Sequence, residues 1–118
     1  MNTKKEIVLN FIEALNKNDF HQAKEYLNEN FVFKSRSRKR AGVDTFIEEM
    51  QSTPHTYIVR DIYSNSKYVC VIYDIQSPHQ ENITTCGLYR VRKKKIDSLT
   101  VVFDTRPITV TQRKIIMD

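Results

Sequence analysis

The sequence predicts an α+β domain, with helices first and antiparallel strands afterwards. Two patterns carry this reading. Apolar residues recur at helical spacing in three segments before residue 56, and from residue 56 onward they follow a two-residue repeat. Parallel βαβ units would instead alternate helix and strand along the chain. Size agrees: 118 residues, 40% hydrophobic and 28% charged, suit one soluble domain over residues 1–118.

The elements follow in order. Thr3-Lys4-Lys5-Glu6 has the spacing of a capping box, and Ile7, Phe11 and Leu15, joined by Val8, Ile12 and Ala14, form one apolar helix face. The helix ends near Asn16-Lys17-Asn18, and Asp19 caps a second, shorter one that buries Phe20, Ala23 and Leu27. Asn28-Glu29-Asn30 breaks that helix, and Phe31-Val32-Phe33 reads as a short strand. A basic loop runs from Lys34 to Arg40. Gly42 opens a third helix with Val43, Phe46, Ile47 and Met50 on one side, and Pro54 closes it.

Strands then run from Thr56 to Tyr63 and from Tyr68 to Ile75, around the turn Ser64-Asn65-Ser66-Lys67. Gln76 to Asn82, with Pro78, reads as a polar connection. Ile83 to Arg92 and Ile96 to Phe103 form a last hairpin around Lys93-Lys94-Lys95. Strict alternation puts Tyr57, Val59, Asp61 and Tyr63 on one face of their strand and Ile58, Arg60 and Ile62 on the other.

Composition excludes several classes. Two Gly and three Pro leave no flexible linker, and there is no internal repeat. Lys4 and Lys5 precede Ile7-Val8-Leu9, but Asn10 and Glu13 interrupt any secretory core. The longest apolar run, Val69 to Tyr73, is far short of the roughly 20 residues that span a bilayer. Cys70 and Cys86 fall in strands and read as buried, reduced thiols in preference to a disulfide. The expectation is a soluble cytoplasmic protein with no membrane partner.

Four motifs in this order resemble a known family. Phe11 to Asp19 is similar to the "F/Y-x-A-L-N-x-x-D" opening of SnoaL-like and ketosteroid-isomerase-like domains, and Gly42 to Phe46 to their third helix. Gly87 to Ile96 resembles their "F-R-V-x-x-G-K-I" hairpin, with Lys93-Lys94 in place of Asp-Gly. Phe103-Asp104-Thr105-Arg106-Pro107 matches the terminal "F-D-x-R-P". The likeness runs from about residue 5 to residue 108 and identifies the nuclear transport factor 2-like superfamily. It implies a cone in which three N-terminal helices and a curved antiparallel sheet enclose a pocket open at one end. It also implies a homodimer, with the second sheet face against a partner subunit. Isomerases, polyketide cyclases, epoxide hydrolases and members with no known catalysis share that fold, so it does not fix an activity.

Two family mechanisms lack their residues here. The isomerases need a first-helix Tyr and a carboxylate after the first strand; this chain has Phe11 and Lys34-Ser35-Arg36. The epoxide hydrolases carry an Asp where Val101 stands. Asp104 is the best remaining acid or base, with Arg106 as a clamp for an anionic group; the two equally suit ion pairing at a sheet edge. His55 could shuttle protons near neutral pH, or, like His21 and His79, simply lie at the surface. Tyr26, Tyr57, Tyr73 and Tyr89 suit a ligand pocket with polar tips, or a core in which each hydroxyl finds one partner. No zinc spacing and no glycine-rich phosphate loop occur, so neither metal nor cofactor is expected.

Charge is uneven. Lys34, Arg36, Arg38, Lys39 and Arg40, with Arg90, Arg92, Lys93, Lys94 and Lys95, hold ten of nineteen basic residues, and removing them turns the net charge from +5 to −5. Such blocks attract phosphates, or are solvated loops. Stacking aromatics are not interleaved with them, which ranks nucleic acid last among partners. The leading expectation is a small organic ligand in an apolar pocket, used in isomerisation, cyclisation or hydration. The alternative is a non-catalytic dimeric interaction module with a filled core.

Overall fold

The computed structural model describes residues 3–35, 39–53, 55–78 and 80–102. Pro54, His79, Asp104 and Arg106 lie outside them. The elements are α1 (Lys4–Asn16), α2 (Phe20–Glu25), β1 (Leu27–Lys34), β2 (Lys39–Ala41), α3 (Val43–Ser52), β3 (Thr56–Ser64), β4 (Tyr68–Ser77), β5 (Gln80–Arg92) and β6 (Lys95–Val102). Helices pack on one face of a curved sheet, the nuclear transport factor 2-like α+β arrangement.

Local chemistry starts each helix. At α1 the Thr3 hydroxyl accepts from the Glu6 N–H and the Glu6 carboxylate accepts from the Thr3 N–H, a complete capping box. Asp19 accepts from the Gln22 N–H to start α2. Gly42 precedes α3 at φ 108°, a backbone region that side chains disfavour.

The sheet order is β2-β1-β6-β5-β4-β3. Every neighbouring pair is antiparallel except β1 and β6, which run parallel. That pairing joins residues about seventy positions apart, so no local sequence pattern announces it. α1 packs over β3 and β4, and α3 over β1 and β2. Ile7, Val8, Phe11, Ile12, Ala14 and Leu15 of α1 are all buried, as the helical spacing requires. Phe46 of α3 joins Phe11, Phe31 and Phe33 in an aromatic cluster with ring centroids 5.1 to 6.3 Å apart.

Several expectations are corrected. Asn28-Glu29-Asn30 does not break a helix into a loop: α2 stops at Glu25 and these residues lie inside β1, which begins at Leu27 rather than Phe31. Their polar side chains are exposed or half-buried, so the strand hides its alternation. Part of the basic loop is a strand, because Lys39 pairs with Lys34 and Ala41 with Val32. The polar connection Gln76 to Asn82 is mostly ladder, with Ser77 facing Gln80. The β5–β6 turn is tighter than a three-lysine loop: Arg92 pairs with Lys95, and Lys93 and Lys94 take φ 56° and 66°. Two successive positive φ values match the handedness of a hairpin twist, normally given to Asn-Gly or Asp-Gly.

The face assignment of β3 also changes. Val59 pairs with Tyr73 and Asp61 with Ile72, so a β-bulge falls between them. One extra residue reverses the alternation beyond it. Tyr57, Val59 and Ile62 therefore pack against the core, while Asp61 and Tyr63 turn outward, Tyr63 being 55% exposed.

Candidate functional site

Between the inner face of the sheet and helices α1 and α3 lies a cavity of about 250 Å³. Phe11 and Leu15 of α1, Phe46 and Met50 of α3, and Phe33, Ile75, Ile83, Leu99 and Val101 of the strands give it an apolar wall. Its polar groups are Tyr57, Tyr73, Thr85 and Tyr89, with His55 and Ser77 at one side. No lining side chain among the described residues is an acid, Lys or Arg.

Strand alternation puts the tyrosines there. On β4, Val69, Val71 and Tyr73 are buried on the inner face; on β5, Thr85, Gly87, Tyr89 and Val91 are. Val71 pairs with Gly87, Tyr73 with Thr85 and Val69 with Tyr89, so Gly87 sits between the two tyrosines on the ladder. The tyrosine hydroxyls meet at 3.0 Å, and both side chains are almost wholly buried. A Cβ on Gly87 would fall 2.5 Å from the Tyr73 hydroxyl and 3.0 Å from the Tyr89 ring. Glycine is therefore what lets the pair form. The sequence signal was a lone glycine inside a strand, which marks a close approach.

Tyr57 stands beside them, its ring centroid 5.4 Å from that of Tyr73 and its hydroxyl donating to the Met50 sulfur at 3.4 Å. Burial pushes the Tyr73 phenol up to about 12, although the Tyr89 hydrogen bond partly offsets this. Tyr89 is raised well above the ordinary tyrosine value and Tyr57 is raised too, in both cases first by burial and then by the neighbouring Tyr73. At physiological pH these phenols are neutral donors, not bases. Among the described residues no buried side-chain N or O lacks a partner.

His55 lies where the cavity meets a second, polar hollow of about 350 Å³ lined by Asn16, Asn18, Thr56, Gln76, Ser77 and Pro78. Its Nδ1 is 2.8 Å from the Ser77 hydroxyl and its ring meets Tyr57 edge-on at 6.3 Å. Partial burial lowers its pKa, which favours the neutral imidazole. Asn16 closes the same rim: it donates to the Tyr57 carbonyl at 2.8 Å and accepts from the Tyr57 N–H at 2.7 Å. This joins the end of α1 to β3, the outermost strand of the sheet.

The chain thus brings His55, Tyr57, Tyr73 and Tyr89 to one cavity. Tyr26 is not among its lining residues; it caps α2, packs half-buried against the core and accepts the Ile96 N–H on its carbonyl at 2.8 Å. Thr85 and Ser77 are common residue types with no motif around them and were not singled out in the sequence, whereas Met50 was read only as a core residue of the third helix and Asn16 only as the end of the first. Phe11 and Val101 line the cavity as apolar groups, at the two positions where the isomerase and epoxide hydrolase patterns require Tyr and Asp. Lys34 and Lys39 pair at the end of β1 that meets Thr100 of β6, whereas Arg92 and Lys95 close the β5–β6 hairpin next to Ile96, the partner of Leu27. Because β1 bulges between Leu27 and Val32, only four residues of β6, roughly 13 Å, separate those pairings, and Arg90 pairs with Ser98, level with Val32. Among the described residues no cluster of His, Cys, Asp and Glu could hold a metal ion, and no helix is long and apolar enough to cross a membrane.

No family model matches the chain, and no curated protein matches it in sequence. Solved structures do. An NTF2-like protein of unknown function from Cytophaga hutchinsonii is 38% identical, with a TM-score of 0.86 over 91% of this chain and 95% of its own. The fold also matches a candidate ketosteroid isomerase of Kribbella flavida at 10% identity (TM-score 0.78, covering 87% of this chain and 78% of that one). An LEH-like epoxide hydrolase of M. tuberculosis is similar at 19% identity (TM-score 0.73, covering 83% and 80%). Fold, cavity position and the first of these likenesses define the class. The chain belongs to the nuclear transport factor 2-like family.

Proposed function

We propose that this chain binds a small, uncharged, mainly apolar organic molecule that carries one hydrogen-bond acceptor, such as a carbonyl oxygen. The observation that carries the reading is the Tyr73–Tyr89 hydroxyl pair, 3.0 Å apart, in an apolar cavity whose described lining has no charged side chain. Two phenols hold two protons, and the bond between them uses one. The other O–H is available to an acceptor in the cavity and is polarised by the bond behind it. A charged ligand would find no counter-charge among these groups and would bear its full desolvation cost. At about 250 Å³ the cavity falls just under the roughly 300–1,000 Å³ of drug-sized sites, which favours a small ligand.

In the catalytic form of this proposal the tyrosine pair stabilises oxygen charge that develops during proton transfer. Neutral His55 accepts the proton, and Asp104, assigned from its motif alone, is the second acid or base. That chemistry suits isomerisation, cyclisation or hydration. The void favours it over the alternative of an interaction module with a filled core.

The test uses tyrosine emission, since the chain has six Tyr and no Trp. Small cyclic ketones and their parent hydrocarbons are titrated into the protein. One net hydrogen bond of about 0.5–1.5 kcal/mol should favour the ketones by roughly 2- to 13-fold. Either phenol alone keeps one O–H, so replacing both, Tyr73→Phe with Tyr89→Phe, should remove that preference. Absence of binding to the whole panel at millimolar concentration, or a preference that survives the double replacement, would sink the reading. If turnover is found, Asp104→Asn should abolish it with the melting temperature nearly unchanged.

A further inference from the structure

We propose that Cys70 and Cys86 form a redox-active dithiol on the outer face of the sheet, which exchanges with a low-molecular-weight disulfide to give an intramolecular Cys70–Cys86 bond. The sulfurs are 3.1 Å apart, and both residues are half-buried free thiols rather than the buried ones that the sequence suggested. Cys70 pairs with Leu88 and Ile72 with Cys86, so the cysteines are diagonal neighbours on adjacent central strands. Such a diagonal is the longer way across an antiparallel ladder. Here the two side chains nevertheless reach each other, and a closure of about one ångström brings the sulfurs to the ~2.05 Å of a bond. On this face Tyr63 stands opposite Cys70 on β3, and Val102 opposite Cys86 on β6.

The two sulfurs have different roles. Burial, with the Cys70 contact, pushes the Cys86 thiol up to about 11, which disfavours its thiolate, while either sulfur can donate in the 3.1 Å contact. The first attack is therefore assigned to Cys70. It displaces one thiolate from the small disulfide and forms a mixed disulfide on its own sulfur. Cys86 next gives its proton to solvent and attacks the Cys70 sulfur, expelling the second thiolate. The two departing thiolates take up the two protons lost, so one small disulfide and two protein thiols become two small thiols and one protein disulfide. The half-exposed position leaves the product open to reduction by the reverse steps.

Placement gives the bond a consequence. It would straddle the Val71–Gly87 pair, with Thr85 and Gly87, the chain neighbours of Cys86, on the opposite face under the tyrosine pair. A staple there shifts the strands that hold Tyr73 and Tyr89. This last step rests on the ligand reading; the thiol chemistry does not.

The experiment treats the folded chain with excess oxidised glutathione at about pH 8, quenches with acid, denatures and alkylates, and weighs the product by mass spectrometry. The expected product has lost two hydrogens, carries no glutathione and no alkyl group, and recovers both thiols in dithiothreitol. Cys86→Ser should stop at one glutathione on Cys70, whereas Cys70→Ser should react at least tenfold more slowly. Overturning results are two glutathiones per chain, a covalent dimer on a non-reducing gel, or two surviving thiols under conditions that oxidise the urea-unfolded chain. These readouts on the wild-type chain stand even if a variant does not fold. Ketone affinity measured before and after oxidation tests the coupling alone: an unchanged affinity removes the coupling, and no ketone binding in either state removes the ligand reading.

Discussion

The hydroxyls of Tyr73 and Tyr89 meet 3.0 Å apart across the inner face of two neighbouring strands, directly over a residue with no side chain. The two tyrosines are sixteen positions apart in sequence, yet the β4–β5 register leaves only the Val71–Gly87 pair between them on this face. Each phenol solves the other's burial problem, and the gap at Gly87 gives both rings room to turn inward.

Replacing Gly87 with Ala tests that geometry. The new Cβ would lie 2.5 Å from the Tyr73 hydroxyl, so Tyr73 must move or the strand must. Overpacking of this kind costs about 1–3 kcal/mol. Since the nearest clash is with an oxygen, Tyr73→Phe in the Gly87→Ala background should recover part of that loss. A double-mutant cycle by urea denaturation measures the coupling. Strict additivity would show that the two residues do not share this space.

Tyrosine ionisation offers a second check. An unfolded tyrosine loses its proton near 10, whereas burial holds Tyr73 protonated to about 12 and raises Tyr57 and Tyr89 as well. Above pH 10 the unfolded chain therefore binds fewer protons than the folded one, so stability falls as pH rises. The contribution is complete below pH 10 and is lost as pH climbs through about 12. Denaturant midpoints should drop in that window, and absorbance should show a late-ionising group of tyrosines that appears only on unfolding. Full ionisation of every tyrosine near pH 10 with the fold intact would contradict the burial.

The parts of this molecule that sequence could reveal are those governed by local periodicity. Ile7, Phe11 and Leu15 announce α1 because one helical face must be apolar, and Thr3 with Glu6 announces its start. The β3 bulge was invisible, since one extra residue between Val59 and Asp61 leaves no compositional mark and yet reverses Ile62 and Tyr63. β1 was cut short because its first half, Asn28-Glu29-Asn30, is polar. The parallel β1–β6 pairing depends on distant residues and could be neither read nor excluded. For the site, apolar strands bearing tyrosines pointed to Tyr57, Tyr73 and Tyr89, whereas Tyr26, read onto the second helix, was grouped with them on residue type alone. It caps α2 outside the cavity, while the ladder register brings Tyr73 and Tyr89 together.

Asn16 supplies a third prediction. Its amide pairs with both the N–H and the C=O of Tyr57, on the free edge of the outermost strand. It therefore covers an open ladder position, seats Tyr57 and borders the polar hollow. Asn16→Ala should cost about 1–2 kcal/mol, the sum of two ordinary hydrogen bonds. Asn16→Asp should be no better, because a carboxylate can accept from the Tyr57 N–H but cannot donate to its carbonyl. Hydrogen exchange at the Tyr57 amide should accelerate in both variants. An Asp variant as stable as wild type would mean that the bond to the carbonyl contributes nothing.

His55 gives the acid-side counterpart. Partial burial lowers its pKa from the ordinary value of 6.5, so between the two values the unfolded chain binds the proton more readily than the folded one. Stability therefore rises with pH through the window below 6.5 and is fully present above it. Midpoints compared at about pH 5 and pH 7.5 should fall further on acidification in the wild type than in His55→Gln, a difference that cancels the other titrating groups. Because burial rather than Ser77 causes the shift, Ser77→Ala should leave the imidazole titrating below 6.5 by NMR, although it removes the 2.8 Å contact. A wild-type value at or above 6.5 would contradict the burial, and one above about 8 would leave the imidazole charged across the physiological range. It could not then be the proton acceptor beside the tyrosine pair.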